Sequence, residues 1–194
     1  FMLNKHGLGL LDNKVSHLEI DEENGSVTFY VDSREKYSDV ITGSLTEARI
    51  LGTFNINKDK KFTDKELAKL FKMNQFYFES KELNMKLVAS LMNFSAKVTK
   101  RIEDNKDNRG TEKKVYEAAV DTDIEKEFVM KAPIFNGCPD ENFLVHICYE
   151  ASSTGVSFWL ESVDLYQKVE EVKRKILDEE IKHFKEYGCA IVSK

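Results

Sequence analysis

"NFLVHICYEASSTGVSFWLESV", residues 142–163, decides the fold class. Its two halves are apolar, strand-like runs joined by the turn-forming ASSTG, so the segment reads as an antiparallel hairpin. Directly after it, residues 164–187 carry Leu165, Val169, Val172, Ile176 and Phe184 on one helical stripe. Gly188 stands where a helix C-terminus takes glycine. A hairpin followed at once by a long amphipathic helix implies helices packed on an antiparallel sheet, and CAIV (189–192) reads as a short closing strand.

Upstream, IEKEFVMKAPIF (124–135) reads as extended, because Pro133 restricts Ala132 to extended geometry. Near the other end, SHLEIDEENGSVTFYV (16–31) alternates apolar and polar residues on both sides of Asn24-Gly25, a pair suited to the positive φ angles of a type I′ turn. SREKYSDVITGS (33–44) reads as a polar connection, and LTEARILGTFNI (45–56) fits a strand or a short helix equally. Helices are expected near 63–72 and 81–98; in the second, Leu83, Leu87, Leu91 and Phe94 recur at helical spacing, with Met85 and Met92 as core gap-fillers. The expected fold is therefore α+β. A largely antiparallel sheet, with hairpins at 16–31 and 142–163, is packed by these helices and by the long helix 164–187. The chain is read as a single domain, 1–194, with an N-terminal β subregion at 1–60.

The 194 residues are 41% hydrophobic and 11% aromatic, the composition of a folding protein. A net charge of −5, from 29 basic and 34 acidic residues, provides no overall positive field to gather nucleic acid, which leaves only a local basic patch for that purpose. No apolar run is long enough to span a membrane, and the start lacks the pattern of a secretory signal. A cytoplasmic protein without membrane contact is expected. Cys138, Cys148 and Cys189 fit small apolar residues in a reducing compartment, with a Cys138–Cys148 bridge as the alternative.

Residues 55–66 invite a calcium-loop reading, with oxygen-bearing side chains at Asn55, Asn57, Asp59, Thr63 and Glu66. Such a loop needs glycine at its sixth position, where Lys60 stands, and Lys58, Lys60 and Lys61 would repel the cation. A helix start accounts for the same residues: Thr63 as N-cap, Glu66 closing a capping box, and Phe62 packing on Leu67 as a hydrophobic staple.

Other chemistry is sparse. His146 and Cys148 share a strand face, the beginning of a thiol nucleophile but also an ordinary core arrangement. The histidines and cysteines have no zinc-ligand spacing, and the phosphate-loop, dinucleotide-fingerprint, G-x-S-x-G and H-E-x-x-H motifs are absent from the sequence. No catalytic residue, metal ligand or cofactor is therefore assigned. Single-strand binders combine aromatic platforms with a basic groove. The candidates for such a site are Phe76, Phe78, Lys97, Lys100, Arg101, Arg109, Lys113 and Lys114.

Taken in order, FTDKELAKLF (62–71), EFVMKAPIFNG (127–137), FLVHICYEASSTGVSFWLESVD (143–164), the long terminal helix and GCAIV (188–192) resemble the YfdQ-like proteins of phages and prophages. The resemblance covers residues 62–192. It implies a phage or prophage origin and a cytoplasmic protein acting in the infected bacterial cell. The resulting expectation is a non-catalytic accessory protein that acts by binding, to single-stranded nucleic acid in phage DNA transactions. The alternatives are an inhibitor or adaptor that binds a host protein, and a structural component that dimerises through the 165–187 helix.

Overall fold

The computed structural model describes residues 12, 14–104 (99–104 as helix backbone), 120, 124–152 and 155–193. The fold is α+β. In chain order the elements are β1 (His17–Asp21), β2 (Ser26–Tyr30), β3 (Val40–Ser44), α1 (Arg49–Phe54), α2 (Asp64–Met73), a 3-10 turn (Gln75–Tyr77), α3 (Lys81–Asp104), β4 (Glu127–Pro133), β5 (Asp140–Ala151), β6 (Val156–Glu161), α4 (Val163–Glu186) and β7 (Ala190–Ser193). They gather into two compact units. One comprises the chain up to Thr46 together with Val169–Lys194, and the other Glu47–Lys168.

The first unit is a four-stranded sheet in the order β3-β2-β1-β7, antiparallel except for the parallel pair β1–β7. Alternation in HLEID turns Leu18 and Ile20 to one face, opposite Phe29 and Val27 of β2. The helix α4 lays Leu177 and Phe184 on that face, with the Phe184 and Phe29 ring centroids 5.2 Å apart. Each such buried side chain contributes about 1.5–3 kcal/mol. The end of α4 is a Schellman motif: Cys189 N–H donates to the Phe184 carbonyl and Gly188 N–H to that of Lys185, with Gly188 at φ +73°.

Two expectations are corrected in this unit. The β1–β2 connection is a four-residue loop, since Asp21 pairs with Ser26, and Asn24 does not adopt the positive φ that a type I′ turn needs. The Asp21 carboxylate accepts from both the backbone N–H and the side-chain amide of Asn24, which leaves only Gly25 left-handed. Part of the segment expected as a polar connection is strand: Val40–Ser44 pairs with β2 along its length. All five residues of β3 are exposed, so backbone bonds to β2 hold this edge without an apolar alternation to announce it.

The second unit has a three-stranded antiparallel sheet, β4-β5-β6, with Phe143, Val145 and Ile147 of β5 buried. Its core is aromatic: Phe54, Phe71, Phe78 and Phe128 form one chain of ring contacts, and Phe94 meets Phe158 edge-on. Both outer strands are paired by short extended pieces, Phe62 against Phe158 and Phe78 against Met130. These pieces cover edges that would otherwise offer unpaired backbone groups. Residues 45–56 resolve into the short helix α1. The capping box at Thr63 and Glu66 is present in full, and Asn57 and Glu66 are engaged in protein contacts, so 55–66 is a helix approach and not a calcium loop.

In α3 the buried stripe is Asn84, Leu87, Leu91, Phe94 and Val98, with Asn84 Nδ2 donating to the Phe71 carbonyl at 3.1 Å. This registration turns Met85 and Met92 to the surface instead of the core, since each follows a stripe position by one residue, about 100° around the helix. The three cysteines are free thiols, without the Cys138–Cys148 bridge.

Candidate functional site

Of the residues expected to bind nucleic acid, Lys97, Lys100 and Arg101 lie within about one turn of α3, whereas the two phenylalanines do not share a surface. Phe76 and Phe78 are two apart but leave the 3-10 turn in opposite senses. Phe76 is 84% exposed, whereas Phe78 is 6% exposed and stacks on Phe128 with a centroid separation of 4.4 Å. Phe78 is thereby taken out of any stacking platform. Lys97 is exposed on α3, about 24 Å along the helix axis from Lys81, near which the Phe76 turn enters. Lys100 and Arg101 lie on the last turns of the α3 backbone. Arg109, Lys113 and Lys114 lie outside the described residues.

The His146–Cys148 pair is on the half-exposed face of β5, and His146 Nδ1 lies 3.6 Å from Glu127 Oε2. At that separation the imidazole and the carboxylate make no hydrogen bond, and the thiol is not activated. Burial first, then the charge and hydrogen bonding of Glu161, push Cys148 up to about 11. At neutral pH it is almost wholly thiol, the inert form.

A cleft that the sequence did not suggest is built on the edge of β6. After α1, whose end is closed by Asn55 at φ +52°, the chain runs beside β6 and is tied to it at two points. At the first, Asn57 N–H donates to the Leu160 carbonyl at 2.9 Å, and the Asn57 carboxamide brackets Ser162, Nδ2 donating to its carbonyl and Oδ1 accepting from its N–H, both at 2.8 Å. At the second, Phe62 and Phe158 exchange backbone hydrogen bonds of 2.7 and 2.8 Å. Asn57 is left-handed at φ +58°, a conformation asparagine tolerates better than most residues. Lys58, Asp59 and Lys61 lie between the two ties and, with Trp159, Glu161 and Tyr166, wall a cleft of about 500 Å³.

The chain's single tryptophan is the half-buried wall. Its Nε1 donates to Glu161 Oε1 at 2.7 Å, and Lys61 Nζ lies 5.4 Å from its ring centre while pairing with Glu150 at 2.5 Å. Val163 and Tyr166 on the first turn of α4 are 77% and 65% exposed. No protein-family model, curated protein or solved structure matches this chain.

Chemically, the cleft offers two large aromatic surfaces and two cations balanced by two carboxylates, Asp59 and Glu161. No group of three or more metal-ligating side chains occurs among the described residues. No helix among them is long and apolar enough to cross a membrane. Sequence reasoning missed this site because Lys58 and Lys61 are about a hundred residues from Trp159 and Tyr166 in the chain. The signal that was available is the lone tryptophan on a strand face alternating with buried Phe158 and Leu160.

Proposed function

We propose that the chain is a non-catalytic accessory protein of phage or prophage origin that acts by binding a host protein, with the Trp159–Tyr166 cleft as the contact. The origin rests on the resemblance of the motif order to that of the YfdQ-like proteins. The mode of action is supported by one observation: exposed Tyr166 and Val163 stand beside Trp159 in a cleft whose charges cancel. Tryptophan and tyrosine dominate the energetic centres of protein interfaces, and a charge-balanced rim gives specificity without attraction for a polyanion.

Single-stranded nucleic acid is the second reading, favoured by the 84% exposure of Phe76 and by the basic residues Lys97, Lys100 and Arg101 along α3. The two separate by salt. The tagged chain and a Val163→Glu/Tyr166→Ala variant of equal melting temperature are used to capture partners from host lysate at low and high salt. In parallel, a labelled oligonucleotide is titrated by fluorescence anisotropy. Retention of one partner at both salts by the parent chain, lost in the variant, is the expected result. Oligonucleotide binding that falls by orders of magnitude between about 50 and 200 mM salt, unchanged in the variant, overturns the proposal in favour of nucleic acid.

A further inference from the structure

The first unit holds a concavity of its own, which shares no residue with the cleft described above. Cross-strand register aligns Leu18, Phe29 and Ile41 in one row of the sheet, and Ile20, Val27 and Gly43 in the next. Residues in register share a face, so Ile41 and Gly43 belong to the face that α4 covers. The helix does not reach them: Leu18 and Phe29 are buried, while Ile41 in the same row is 46% exposed. Between β3 and the helix lies an open groove of about 310 Å³ lined by Val27, Phe29, Ile41, Ile176, Leu177 and Phe184, with Glu180 and His183 also on its wall.

Gly43 keeps this space open. Glycine inside a strand weakens it and ordinarily marks a bulge or a close backbone approach. Neither applies, because Gly43 is not left-handed and a Cβ there would meet only Val27 Cγ2, at an ordinary 3.4 Å. The missing side chain is therefore volume withheld from the groove.

The geometry points to a binding site for a small aromatic amine. A cavity of about 150 Å³ lined by Leu, Ile and Phe holds benzene, so twice that volume suits a two-ring body. Glu180, a solvent-exposed residue of that lining, has no hydrogen-bond or ion-pair partner among the described residues. Its carboxylate complements a cationic or N–H-donating group and repels an acid, and His183, three residues further along α4 and also in the lining, supplies a second polar group.

The test uses the full chain with two matched probes, 2-naphthylmethylamine and 2-naphthoate, titrated by calorimetry at low salt with light scattering on the same samples. The amine is expected to bind at least about tenfold more tightly than the acid, the ratio that about 1.4 kcal/mol of charge complementarity gives. Glu180→Gln is expected to bring the two within about threefold. Gly43→Val and, as a second filling variant, Ile41→Trp are expected to abolish binding of both probes with an unchanged or raised melting temperature. The proposal is overturned by absence of saturable amine binding, by binding that survives both filling variants, or by equal affinities for amine and acid. It is also overturned by a doubled mass that Gly43→Val returns to monomer, which would assign the groove to a second copy of the chain.

Discussion

Asn57 holds Ser162 by both of its backbone polar groups, a donor and an acceptor each at 2.8 Å from one carboxamide. The amide thereby acts as one more rung on β6 and sets where the cleft-forming loop leaves the sheet. Asn57→Ala removes both bonds and places alanine at a left-handed φ, with an expected loss of about 2 kcal/mol in urea unfolding. Asn57→Gly keeps the backbone comfortable while losing the same bonds, so its loss is expected to be smaller. Equal losses in the two variants would mean that the φ angle contributes nothing.

Phe76 and Phe78 are expected to separate cleanly on truncation. Phe78→Ala empties a position between Phe71 and Phe128 in the aromatic core, with an expected cost of about 3–5 kcal/mol. Phe76→Ala removes an exposed ring and is expected to change stability by less than about 0.5 kcal/mol. Chemical denaturation of the two variants decides it, and comparable losses would contradict the placement of Phe76.

The capping box makes a pH-dependent contribution. The Thr63 backbone N–H, first, and the Thr63 hydroxyl, second, hold the Glu66 carboxyl below the usual glutamate range. A group whose folded pKa is lowered stabilises at pH above its unfolded value and loses that contribution as pH falls through the folded one. The stability difference between the parent chain and Glu66→Gln is therefore expected to be constant above about pH 5 and to shrink steadily below about pH 4. Thr63→Ala is expected to cost about 1 kcal/mol at neutral pH. A difference that grows on acidification would refute the box as the source.

Cys148 offers a chemical readout of the half-exposed face of the second sheet. With its pKa raised from about 9 to about 11, its thiolate fraction at pH 8 is lower by roughly two orders of magnitude. The greater nucleophilicity of a more basic thiolate recovers part of this, so alkylation in a Cys138→Ser/Cys189→Ser background is expected to run about tenfold slower than that of an unperturbed thiol. Glu161→Gln removes a charge that raises the pKa and is expected to accelerate it. Labelling as fast as that of a free thiol would restore the nucleophile reading.

Much of the architecture was legible because its elements repeat at the periods that burial demands. Leu18/Ile20 against Phe29/Val27, the stripe through Leu87, Leu91 and Phe94, and the α4 run ending at Gly188 each satisfy their local pattern and their tertiary environment together. β3 was not legible, since an exposed edge strand containing Gly43 is held by its partner's backbone and shows no apolar alternation. The four-residue turn hid for a different reason: Asp21, outside the Asn-Gly pair, captures Asn24 and changes the loop length. Tertiary pairing of the loop with β6, at Asn57 and at Phe62, brings Lys58 and Lys61 to Trp159, and no local spacing encodes that.

The parallel pairing of His17–Ile20 with Ala190–Ser193 has a consequence for assembly order. Glu47–Lys168 contains every strand of its own sheet and can close without β7. The β1 edge must wait, without β7, for roughly 170 further residues. Contacts of such long sequence separation form slowly. Of the two sheets, the one built from β1, β2, β3 and β7 is the later to mature and the more exposed to edge-to-edge association while nascent.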